Sequence, residues 1–182
     1  MSFSINLSTK NFARAARIAG NDEFHFVIEN EEVKCHKFVA AYISQTISDI
    51  LVTDPTIDQF CINIGNDLNS EKTQQKVVMM KTNLEKLVLG QKVEISQQDL
   101  DDFLSGINQL DENTTISDFS PTLISSLLLL NESLKNDEIN EQICRHVFTF
   151  MKFNNENKEK TKDEIAQKLI QMKKVEIFLR II

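Results

Sequence analysis

The chain has 182 residues, 41% of them apolar and 26% charged, with a formal net charge of -7. That make-up fits a globular chain with room for one domain and an extension, and it excludes a predominantly disordered one. Arg stands only at positions 14, 17, 145 and 180, and no basic stripe is interleaved with aromatics, so neither nucleic acid nor an anionic membrane is an expected partner.

Three widely spaced cysteines, Cys35, Cys61 and Cys144, imply no disulfide framework and favour a reducing compartment, the cytoplasm first and the nucleus second. No apolar run approaches the length of a membrane span. The N-terminus lacks the basic-then-apolar pattern of a secretory signal. With four Gly and two Pro the chain has few breakers and is expected to be largely helical.

Residues 9–19 read as a short helix with Phe12, Ala15, Ala16 and Ala19 on one face, stopped by Gly20. The period then changes. Phe24, Phe26 and Ile28 alternate with His25 and Glu29, which marks a strand; Asn30-Glu31 reads as a turn, and 32–35 returns as the second arm of a hairpin. From His36 to Thr53 an apolar stripe (Val39, Ile43, Ile47, Ile50, Leu51) predicts a helix, with Ser44 as a joint between two shorter ones. Pro55 ends it. Phe60, Ile62 and Ile64 alternate with Cys61 and Asn63 in a third strand.

After a polar loop at 65–71, residues 72–89 predict a long helix with Val77, Met80, Leu84, Leu87 and Val88 on one face and Gly90 as its left-handed cap. A short extended piece follows at 91–95. Ser96 and Asp99 have capping-box spacing, Ile95 and Leu100 that of a hydrophobic staple, and the helix they open carries Phe103, Leu104 and Ile107. A polar loop spans 111–118. Ser120-Pro121 reads as the start of a helix whose Leu and Ile residues occupy more than one face, so it is expected to be buried on both sides. Another helix, 137–153, turns Ile139, Ile143, Val147 and Phe150 inward. A polar loop at 154–160, a last helix opened by Thr161 and Glu164, and the apolar ending "IFLRII" complete the chain, which either docks that ending back on the body or continues beyond it.

Cys35-His36 is the first place to look for chemistry. Adjacent residues point in different directions, no CxxC or HxxxH accompanies the pair, and His25 and Cys61 approach it only through the sheet. A nucleophilic Cys needs a nearby His and an electropositive setting, which nothing here supplies. The expectation is a small buried Cys35 and a hydrogen-bonded structural His36, with no catalytic residue, no metal and no cofactor. The scattered glycines build no phosphate loop, and the acid pairs Asp101-Asp102 and Asp111-Glu112 read as solvated. A small thiol or metal-dependent enzyme remains the distant alternative. Helices with more apolar surface than one core needs point instead to binding of other proteins.

The stretch from Glu23 to Ser44 resembles the start of a BTB/POZ domain: an acid, an alternating strand (Phe24, Phe26, Ile28), a tight turn, a strand ending in His, and a helix of the type of "HKFVAAYIS", 36–44. Residues 87–110 resemble the later part of that domain, and the likeness spans about 21–115. It departs in carrying Leu87-Val88 for the usual aromatic and Glu23 for Asp. The resemblance implies a mostly helical α/β (α+β) fold: an N-terminal helical segment at 1–20, a BTB/POZ-like small sheet with a helical cluster at 21–115, and a C-terminal helical extension at 116–182. It implies a non-catalytic module that forms a homodimer and acts as an adaptor or scaffold for other proteins. The implied dimer-interface residues are Phe12, Ile18, Phe38, Val39 and Tyr42. Members of the family that serve as adaptors of a cullin-type ubiquitin ligase carry an apolar-x-Glu motif before the third strand; Ile57, Asp58 and Gln59 stand there, with Gln replacing the acid.

Overall fold

The alternation of Phe24, Phe26 and Ile28 with polar residues builds a strand once the first short elements are passed. The computed structural model describes residues 2–18, 22–64, 70–107 and 118–155. In chain order these form β1 (Phe3–Ile5), a 3-10 turn (Thr9–Asn11), α1 (Phe12–Ala15), β2 (Glu23–Ile28), β3 (Glu31–His36), α2 (Lys37–Ile43), α3 (Gln45–Thr53), β4 (Gln59–Ile62), α4 (Glu71–Val88), β5 (Val93–Ile95), α5 (Gln97–Ile107), α6 (Leu123–Leu134) and α7 (Asp137–Asn155). The fold is mostly helical α+β with a small sheet.

β2 and β3 form an antiparallel hairpin in which Ile28 faces Glu31, so the turn is Glu29-Asn30 and lies one residue earlier than the polar pattern places it. Glu29 takes a left-handed φ of 53°. Its carboxylate accepts the Ile64 N–H at 2.6 Å, a bond that holds the end of β4 beside the hairpin. β4 pairs in parallel with the other edge of β2, giving the order β3-β2-β4. Phe24, Phe26, Ile28, Val33 and Ile62 are buried on the face that the helices cover. α4 packs against β3, β2, α2 and α6.

Expected helix ends hold where a local motif sets them. Gly90 has φ 66°, and its N–H reaches Leu87 O while that of Gln91 reaches Lys86 O, the paired bonds of a Schellman cap on α4. Ser96 and Asp99 exchange side chain–backbone bonds at 2.7 and 3.2 Å to open α5, with Ile95 and Leu100 both buried. Elsewhere the ends move. α6 begins two residues beyond Pro121 because Thr122 and Ser125 cap each other reciprocally, leaving the proline outside the helix. In the described part of the expected helix at 9–19 there is a 3-10 turn and the four residues of α1; of the apolar face described there, Ala15 is buried while Phe12 and Ala16 are exposed. The N-terminal segment is therefore not simply helical: its β1 pairs antiparallel with β5, Phe3 opposite Ile95. α7 extends over Asn154 and Asn155, where a loop is expected. Ile107's side chain, most of the loop at 111–118, and the helix and apolar ending after 160 lie outside the described residues.

The expected joint at Ser44 is present, and it is a buried, densely hydrogen-bonded point in the core. Ser44 is extended (φ -122°, ψ 124°) between α2 and α3. Its hydroxyl accepts from Ile47 N at 3.1 Å and donates to Leu134 O at 2.9 Å, tying the start of α3 to the end of α6. α2 thus stops inside the protein, and its last carbonyls need donors. Arg14 supplies two: Nε to Ala41 O at 3.1 Å and Nη2 to Tyr42 O at 3.0 Å. Asn136 supplies the third, Nδ2 to Ile43 O at 2.6 Å. Asn136 is 1% exposed; its Oδ1 accepts from Glu138 N, opening α7, while its backbone is held by Asn131 at 3.0 and 2.9 Å. The spans 1–20, 21–115 and 116–182 therefore share one hydrophobic cluster in their described parts.

Removing Asn136 leaves buried groups of α2 and α7 unpaired. Asn136→Ala is expected to lower unfolding stability by about 2–3 kcal/mol in urea titration, and Ser44→Ala by about 1–2 kcal/mol. A loss below about 0.5 kcal/mol for Asn136→Ala would remove the junction from its central place in the fold.

Candidate functional site

α2 has two faces. Ala40, Ala41 and Ile43 are buried against the core, while Phe38, Val39 and Tyr42 are half-buried at helical spacing on its outer side. α1 lies across this outer side. The Phe12 ring meets that of Phe38 edge to face, centroids 5.3 Å apart at 71°, and Phe12 remains 55% exposed. Such tilted pairs are the favoured aromatic geometry. Ile18, just past α1, is half-buried against the core. The Tyr42 hydroxyl donates to Ser8 O at 2.8 Å. Burial, with the nearby Glu138 carboxylate, raises its pKa and keeps it a donor.

Arg14 holds α1 in place. Besides the two α2 carbonyls it donates from Nη1 to Gln45 Oε1 at 2.8 Å. Burial lowers its pKa, opposed by Asp49 and Asp137. The rest of the N-terminal segment is held by one side of α7. Glu138 accepts Ser8 N with both oxygens at 3.0 Å, Gln142 exchanges bonds with the Asn6 backbone at 3.0 and 2.8 Å, and His146 Nε2 lies 3.3 Å from Ser4 O with its ring 4.6 Å from that of Phe3. Burial lowers the His146 pKa, the bond to Ser4 opposes this, and Arg145 adds to the lowering.

The structure therefore brings Phe12 and Phe38 together and ties Tyr42 to the same segment. Sequence reasoning missed the residues that hold them, Arg14, Glu138 and Asn136. Their one visible signal is an Arg in an otherwise weakly apolar helix pattern. Ile57 is half-buried, and Asp58 and Gln59 are exposed where the chain enters β4. Asp58 O accepts the His25 N–H at 2.8 Å.

Cys35 and His36 point to opposite sides of the hairpin, opposite Phe24 and Glu23. Cys35 is half-buried rather than fully buried, because it stands near the edge where β3 runs into α2. Burial nevertheless pushes its thiol up to about 12, against a hydrogen bond from the Ala40 backbone. His36 ends β3 and precedes α2, and its side chain does not cap that helix. On the same sheet face His25 sits between the carboxylates of Glu23 and Glu32, with Lys34 beside them; the bond to His25 holds Glu32 below its usual pKa. Among the described residues no group of three or more His, Cys, Asp or Glu is placed to hold a metal ion, and no helix is long and apolar enough to cross a membrane.

No family model, no curated protein and no solved structure matches this chain.

Two measurements check this geometry. A His with a lowered folded pKa binds its proton more tightly when unfolded, so its share of stability is complete above about pH 6.5 and is lost as pH falls through that value and the lower folded one. The urea midpoint of the protein is expected to drop between pH 7.5 and pH 5 by more than that of His146→Gln; equal drops would refute the assignment. For the thiols, a disulfide reagent at pH 8 is expected to label exposed Cys61 first, and Cys35 and Cys144, both pushed up to about 12 by burial, at least roughly 100-fold more slowly. Fast labelling of Cys35 would reopen a nucleophilic role.

Proposed function

We propose that this protein is a non-catalytic interaction module of the BTB/POZ type, which self-associates through α1 and the outer face of α2 and presents other surfaces to partner proteins as an adaptor or scaffold. The observation that carries the reading is the exposed Phe12 ring, locked edge to face on Phe38 by the bonds that Arg14 makes beneath it. A large aromatic fixed in water beside half-buried Phe38, Val39 and Tyr42 is the arrangement of an anchor awaiting a surface. The order of hairpin, helix pair, third strand and long helix agrees with the sequence resemblance and supports the same reading. The raised pKa of Cys35 argues against a thiolate enzyme at that position. Its expected place is the cytoplasm or nucleus.

Static light scattering tests the association. The protein is expected to run as a dimer at tens of micromolar, and Phe12→Glu to weaken that dimer by a factor of roughly 10–100 while leaving the melting temperature nearly unchanged, since Phe12 contributes little to the core. A monomeric parent protein, or a Phe12→Glu variant that dimerises as well as the parent, overturns the proposal.

A further inference from the structure

β4 is an edge strand, and its hydrogen bonds to β2 determine which of its backbone groups are left over. Asp58 O takes the His25 N–H and Ile62 O takes the Glu29 N–H, with Phe26 opposite Phe60. In a parallel ladder with this phase the even-numbered residues of the strand bond inward to β2. The N–H and C=O groups of Gln59, Cys61 and Asn63 therefore point outward, and among the described residues no strand pairs with them. Proteins commonly blunt such an edge with charge, proline or a bulge. The run 59–63, "QFCIN", contains neither a charge nor a proline. The side chains of Gln59, Cys61 and Asn63 are exposed as well.

We propose that this edge is a contact surface for a second copy of the same chain, with β4 paired antiparallel to its counterpart about Cys61. That arrangement pairs all of the outward groups with one another. A two-fold axis at Cys61 sets Cys61 opposite Cys61 and Gln59 opposite Asn63, so every outward donor meets an outward acceptor in about six hydrogen bonds. No like charges oppose each other across the axis. The three-stranded sheet then continues through the partner as one sheet. This contact uses none of the α1 and α2 residues proposed above, so the two can fail or succeed separately.

Amide exchange reads the alternation directly. At roughly 0.1 mM and above, where a small edge contact is populated, the amides of Gln59, Cys61 and Asn63 are expected to slow at least tenfold relative to dilute protein, while Phe60 and Ile62 stay protected at both concentrations. Gln59→Pro removes one outward donor at the first residue of an edge strand, a position that tolerates proline. It is expected to abolish this slowing, and with it any mild-oxidant cross-linking through Cys61. Should Gln59→Pro fail to fold, Cys61→Lys places like charges across the axis and is expected to do the same. The proposal is overturned if the odd-numbered amides exchange at the same rate at both concentrations, or if folded Gln59→Pro or Cys61→Lys retains the concentration-dependent protection. Phe12→Glu is expected to leave the alternation intact, which separates the two interfaces.

Discussion

The break between α2 and α3 at Ser44 is the constraint on which the rest of the architecture depends. A helix of seven residues that ends inside a core cannot leave its last carbonyls to water, and each one buried without a donor is costly. Their donors come from far along the chain in both directions: Arg14 from before the hairpin and Asn136 from the turn between α6 and α7. The Ser44 hydroxyl closes the junction by bonding the end of α6. The helix pair α2–α3 is therefore completed by the N-terminal segment and by the C-terminal helices, which explains why segments separable by composition share one core.

Surface follows from this junction. With its carbonyl end anchored and Ala40, Ala41 and Ile43 turned inward, α2 has no freedom to bury Phe38, Val39 and Tyr42 further. Arg14 brings α1 over them and leaves Phe12 in water. α7 then holds the N-terminal segment by its backbone, through Glu138, Gln142 and His146 at successive turns. These contacts are polar and accept many residue types at the positions they hold. The pairing of β4 with β2 likewise uses half of the backbone groups of β4 and leaves the other half outward, along a run, 59–63, that itself contains no charge.

Much of this was legible wherever a short stretch contains its own reason. The alternation of Phe24, Phe26 and Ile28, the Gly90 cap, and the Ser96–Asp99 box with its Ile95–Leu100 staple are local patterns, and each stands where the sequence places it. The β1–β5 pair was not legible, because three residues are too few to show a period and their partner lies about ninety residues away. Pro121 misled for a related reason: Thr122 and Ser125 cap each other, and that mutual bond outweighs the proline's preference for a first helical position. Of the site, Phe12, Phe38 and Tyr42 were named from the family likeness. Arg14, Glu138 and Asn136 were not, since nothing near them in the chain says which carbonyl or amide each will meet.

The sequence by itself determined the periods, the inward faces and several helix ends, because those depend on residues within one or two turns of each other. Only the tertiary structure decided which distant polar side chains complete α2, which aromatics stay exposed, and which edge of the sheet has no strand beside it among the described residues. The physical reason is that a buried hydrogen bond is worth making only when both partners have already lost water. That loss is set by how the elements pack, and no stretch of chain records it alone.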